Sequence, residues 1–179
     1  MGKTFGTVIV MLALPIAVFF GGVWAMSQWS GRQSVPGQMP LNRRWHYDAS
    51  AVESYWKALS ESGFRAEKRL LELDLVFPFF YGGALATGML LGWAALGRTF
   101  SPAWLLAPVA VTILADWTEN LVHLRAMSRW IAPDKIAEEA GWVRVATTAT
   151  TIKLVFFYGS LLTIASLALV LLVRAFRSS

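Results

Sequence analysis

Four stretches of this chain are apolar for longer than the ~20 residues that carry an α-helix across a bilayer. They run from Thr4 to Gln28, Leu71 to Leu96, Pro102 to Leu124 and Val145 to Val173. In hydrocarbon every backbone N–H and C=O must be satisfied inside the protein, so runs of this length admit helices and little else. The expectation is an all-α fold: a four-transmembrane-helix bundle forming a single integral membrane domain over residues 1–179. Composition agrees, with 56% of residues hydrophobic and only 15% charged, against about 25% charged in soluble domains. The absence of cysteine excludes disulfides, thiolate metal sites and cysteine nucleophiles. The net charge of +5 is spread singly around the apolar runs. That pattern flanks a membrane and leaves no nucleic-acid footprint, so the expected partner is the lipid bilayer.

The first run admits two readings. Lys3, the long apolar stretch and Ala25 resemble a secretory signal with a cleavage point, which would leave three spans. The length of the run, Pro15 within it, and Trp24 and Trp29 as interfacial anchors favour a retained helix. With four spans the termini and the turn from Gly97 to Ser101 share one face, side A, and the linker 30–70 and the loop from Arg125 to Arg144 share the other, side B. Lysine and arginine are denser on side B, whereas the acid-free N-terminus favours side A as cytoplasmic, so the orientation stays open. Trp93 and Trp104 fall near side A, and Trp24, Trp29, Trp130 and Trp142 near side B, as in an aromatic belt.

The extramembrane linker 30–70 begins loosely, rich in Gly, Ser, Pro and Gln up to Pro40. A short amphipathic helix is expected over 50–62, opened by a Ser50/Glu53 capping box and closed by Gly63. Val52, Tyr55, Trp56 and Leu59 give it one apolar face, which suits the bilayer surface, the mouth of the bundle or neighbouring loops. A second short helix is expected from Asp134 to Ala140.

Ionisable residues inside the runs are the sharpest signal, because such groups normally face the bundle interior and find partners there. Asp116, Glu119, Asn120 and His123 recur at i, i+3, i+4 and i+7, one stripe of one helix. Asp74 and Tyr81 from the second run and Lys153 from the fourth fall at similar depth, with Thr147, Thr150, Thr151 and Tyr158 nearby. Together they describe a polar cavity open toward side B and covered by the linker. In the structural reading Lys153 neutralises Glu119 or Asp74 and the cluster locks helix registry. Glu119 and His123 at i, i+4 are a weak metal motif, without the repeated Glu-x-x-His of di-iron bundles, and no metal is assigned. In the catalytic reading Asp116 or Glu119 is a general acid or base and Lys153 steadies an anion, yet no nucleophile motif or phosphate loop accompanies them. No catalytic residue or cofactor is named. Ala84, Gly88 and Gly92 form a small-residue stripe that permits close helix approach, chiefly within the monomer.

The segment from Leu73 through Asp74 to Pro78 with Tyr81, the Asp116-x-x-Glu119-Asn120 element and Lys153 early in the last run resemble small uncharacterised bacterial four-span integral membrane proteins. Gly63 to Arg65 before the second run fits the same resemblance, which covers about Tyr47 to Tyr158. It implies a shared four-helix fold, a shared polar cluster and a multi-pass place in the bacterial inner (plasma) membrane, without implying an activity. The expected role is an accessory or scaffold subunit associating with a membrane-protein complex. The alternative is a membrane enzyme or carrier acting on a lipid-like substrate through Asp116, Glu119 and Lys153.

Overall fold

The computed structural model describes residues 2–31, 35, 37–98, 100–129 and 140–177, and among them every regular element is helical. They are α1 (Gly2–Ser30), a single 3-10 turn (Leu41–Arg43), α2 (Ala49–Ala58), α3 (Glu61–Leu73), α4 (Phe77–Ala95), α5 (Ala103–Ser128) and α6 (Ala140–Arg177). Three of these, α1, α5 and α6, are long and apolar enough to cross a membrane, and the bent pair α3–α4 makes up to four. Their outer surface is apolar: Phe20, Trp104, Leu162 and Leu169 are each more than 60% exposed. An exposed apolar surface of that kind is consistent with contact with a lipid bilayer.

Residues 71–96, expected as one continuous span, are broken. α3 ends at Leu73, α4 restarts at Phe77, and the two axes bend by 43°. Pro78 is the cause, because its ring clashes with the carbonyl four residues back and it has no N–H to donate, so it is tolerated only in the first turn of a new helix. The break frees carbonyls in an apolar setting, and α5 supplies their donors. Trp117 Nε1 donates to the Leu75 carbonyl at 2.9 Å, and Asn120 Nδ2 to that of Asp74 at 3.2 Å.

The helix expected over 50–62 also divides. α2 opens about half a turn earlier, where the Asp48 carboxylate accepts the Ala51 amide at 2.9 Å and the Ser50 hydroxyl at 2.8 Å, so Asp48 and not Ser50 is the cap. Gly63 does not end the element: its amide donates to the Ser60 hydroxyl at 3.1 Å and so helps begin α3. The short helix expected from Asp134 lies outside the described residues, save Ala140 where α6 begins, as does Trp130. Trp142 is half-buried against Trp56, ring centroids 5.6 Å apart, and so is no lipid-facing belt residue.

Packing divides the molecule into two apolar cores. Met11, Leu85, Met89, Val109, Phe157 and Ile164 anchor one, where α1, α4, α5 and α6 meet. The other, toward side B, gathers Leu41, Tyr47, Val52, Trp56, Leu71, Met127 and Val143 from the linker, α2, α3 and the ends of α5 and α6. The small-residue stripe is spent inside the monomer. A Cβ on Gly88 would stand 3.0 Å from the Met11 carbonyl oxygen, and one on Gly92 would stand 2.6 Å from Met11 Cε.

Two predictions follow from these contacts. Gly88→Leu forces α1 off α4 and lowers stability by about 1–3 kcal/mol, whereas Gly83→Leu, where an added Cβ meets nothing within 4 Å, leaves the thermal midpoint in detergent unchanged. The backbone amide of Ala51 and the Ser50 hydroxyl hold Asp48 below its ordinary carboxylate value. Its cap is therefore complete at neutral pH and is lost as pH falls through that lowered value. Hydrogen exchange at the Ala51 amide should quicken on acidification in the wild type and be pH-flat, beyond intrinsic exchange, in Asp48→Asn.

Candidate functional site

Between the two apolar cores lies one polar layer. α5 reaches it as a two-sided helix: Leu114 and Leu121 point outward, more than half exposed, while Asp116, Glu119, Asn120 and His123 are all buried. A straight helix with that stripe can only turn it toward other protein. α6 brings Thr147, Thr150 and Lys153, α4 brings Tyr81, and the α3–α4 break brings Asp74, each of them buried.

Lys153 is the hub. Its ammonium donates to Asp116 Oδ1 at 3.1 Å and to Glu119 Oε2. Asp116 is further held by the Tyr81 hydroxyl, which donates to Oδ2 at 2.7 Å, and by Asn120 Nδ2, which donates to Oδ1 at 3.3 Å. Asn120 thereby ties Asp116 to the Asp74 carbonyl with one amide nitrogen. Asp116 and Glu119 thus share one buried ammonium, and Asp74 is buried beside them with its backbone carbonyl held by Asn120. Two acceptors of the layer, Glu119 Oε1 and Asn120 Oδ1, are buried without a hydrogen-bond partner among the described residues.

His123, grouped with these residues by its spacing, belongs to a second node nearer side B. Among the described residues it is bonded to no carboxylate: its Nε2 lies 2.8 Å from the Tyr47 hydroxyl, which also lies 3.3 Å from Thr150 Oγ1. The Trp56 and Trp142 rings meet the imidazole edge-on at 6.5 and 5.6 Å. Burial, and after it the charge of Glu119, holds the Tyr47 hydroxyl protonated well above the usual phenol range. The opening expected at side B is therefore filled, among the described residues, by a linker strand laid along α6. Tyr47 N–H donates to Thr147 Oγ1 at 3.0 Å, and Thr151 Oγ1 donates to the Trp45 carbonyl at 2.7 Å.

Tyr158, expected in the cavity, instead stands outside, 52% exposed and stacked on Trp45 at 5.7 Å. Tyr47 and Glu67 carried no spacing signal and were not expected. Glu67 is buried in α3 and accepts the Tyr55 hydroxyl at 3.3 Å. An acidic residue amid the apolar positions of that amphipathic helix was the available clue for Glu67, and for Tyr47 there was none. Among the described residues, no group of three or more His, Asp or Glu side chains is disposed to hold a metal ion. The layer can do two things chemically: pin helices by charge, or hold and exchange protons among its carboxyl groups, away from water.

Lys153→Met removes the shared cation and leaves Asp116 and Glu119 buried without it. That should cost about 3–5 kcal/mol, read as a collapse of the thermal midpoint and of detergent-extracted yield. Tyr81→Phe removes one donor from Asp116 and should cost about 1–3 kcal/mol by the same assay.

No family model, no curated protein and no solved structure matches this chain.

Proposed function

We propose that the chain crosses the bacterial inner membrane four times, with α3–α4 as one broken span, and serves as an accessory or scaffold subunit of a larger membrane complex. The enclosure of the charged layer carries this reading. Lys153, Asp116, Tyr81 and Asn120 direct their hydrogen bonds at one another or at backbone, with an apolar core on either side. Buried ionic groups so arranged specify which helices meet and in what register. The outer face of α4 supports the association: Phe79 and Phe80 are about 60% exposed, and Gly83 beside them is open space. Aromatic and small residues together on one face suit a partner helix.

A second reading is favoured by one observation, the orphaned acceptors Glu119 Oε1 and Asn120 Oδ1. Buried polar atoms without partners are costly and gather where function requires them. In that reading Asp116, Glu119 and Lys153 act on a lipid-like substrate.

Gentle extraction of tagged protein from its own membrane, followed by native mass spectrometry, tests the first reading. A co-purifying protein at fixed stoichiometry, lost in Phe80→Glu but kept in Glu119→Gln, is the expected result. The scaffold role fails if Asp116→Asn and Glu119→Gln fold with wild-type yield and thermal midpoint yet abolish the cellular phenotype. That outcome would make the layer a working site.

A further inference from the structure

The outer seam between α5 and α6 holds a groove of about 530 Å³. Its floor is made by small side chains, Ala115 and Ala149, where the two helices touch, and its walls by Leu114, Val145 and Ile152. Thr118 lines it too, but its hydroxyl donates back to the Leu114 carbonyl at 2.8 Å, so the groove offers little that is polar below its rim.

The rim is different. Arg144 lines the side B end of the groove. On α5 the groove stripe of Val111, Leu114 and Thr118 continues at helical spacing through Leu121 to Arg125. The helices run antiparallel, with the His123 ring 5.6 Å from that of Trp142 and Lys153 bonded to Glu119. That register sets Arg125 level with Arg144 to within about one turn. Both arginines are exposed, and neither has an ion-pair partner among the described residues. Asp116 and Glu119, the acidic residues of these stretches, are buried on the inner side and already held by Lys153.

From Val111 to Arg125 the seam measures about 21 Å at 1.5 Å per residue. One leaflet's hydrocarbon is about 15 Å, half of the ~30 Å core, so the seam is long enough for one acyl chain and leaves about 6 Å for a headgroup at the arginines. Basic residues between spans at headgroup depth, above an apolar cleft, recognise acidic lipids. The geometry points to a specific site for one anionic phospholipid, one of its acyl chains in the α5–α6 groove and its phosphate between Arg125 and Arg144. The site lies on the opposite side of α5 from the charged layer and does not depend on the scaffold reading.

The full chain in nanodiscs of equimolar phosphatidylglycerol and phosphatidylcholine, ejected into a native mass spectrometer, tests this. The wild type should retain one phosphatidylglycerol in preference to phosphatidylcholine, with the preference falling about fivefold per arginine removed in Arg125→Gln, Arg144→Gln and the double variant. Arg174→Gln, at the far end of α6, should leave it unchanged. Thr148→Trp, a surface change that fills the groove, should lose the bound lipid while keeping the wild-type thermal midpoint. Equal retention of the two lipids by the wild type, or an undiminished preference in the double arginine variant, would overturn the site. So would a Thr148→Trp protein that keeps its lipid but loses a bound polypeptide, since the groove would then seat a protein helix.

Discussion

One ammonium group organises this molecule. Lys153 lies between an apolar core of α1, α4, α5 and α6 and a second core under the linker, and it reaches two carboxylates of α5. Such a pair adds little net stability, because removing both charges from water costs several kcal/mol per ion. Its value lies in discrimination. A slip of α6 by one residue turns Lys153 by about 100°, out of reach of Asp116 and Glu119 and toward lipid. The dry cores alone would tolerate that slip far better, since leucine, valine and alanine exchange places at modest cost.

The linker finishes what the layer begins. Its strand at Trp45 to Tyr47 adopts no regular structure, yet α6 threonines satisfy its backbone through Thr147 and Thr151. Threonines in an apolar helix ordinarily return their hydroxyls to the carbonyl four residues back; Thr150 does so at 2.9 Å, while the one Thr151 proton is shared between the Thr147 carbonyl at 3.0 Å and that of Trp45. The same residues thus serve helix and strand. Tyr47 then closes the layer with a single hydroxyl shared between His123 and Thr150.

Much of this was legible in the sequence, and what was not has a physical reason. The stripe on α5 is a local pattern, fixed by helical geometry alone; Lys153 is expected there with Glu119 or Asp74, and the structure bonds it to Glu119 and, in place of Asp74, to Asp116. Tyr47 and His123 are 76 residues apart, and no periodicity relates a loop tyrosine to a helix histidine. Pro78 was visible, but whether a proline kinks a span or ends it depends on donors waiting on another helix, here Trp117 and Asn120. The capping of α2 failed in the reading for a smaller reason. Asp48 and Ser50 both accept from a following turn readily, and only the backbone path into the helix chooses between them. That Glu119 Oε1 and Asn120 Oδ1 stay unpaired among the described residues has no signature in sequence, since spacing reveals which residues meet and not which atoms stay unpaired.

The break at residues 74–76 bears on how the chain reaches the membrane. A lone α3–α4 would carry the Asp74 and Leu75 carbonyls into lipid without donors, each at a cost of several kcal/mol. Its donors lie on α5, the next helix to leave the ribosome, across a turn made possible by Gly97 at φ +93°. The smallest unit in which the carbonyls of the break are satisfied is therefore α3, α4 and α5 together. The donors for the break are thus in place without α6, whereas the α5 carboxylates of Asp116 and Glu119 wait for Lys153.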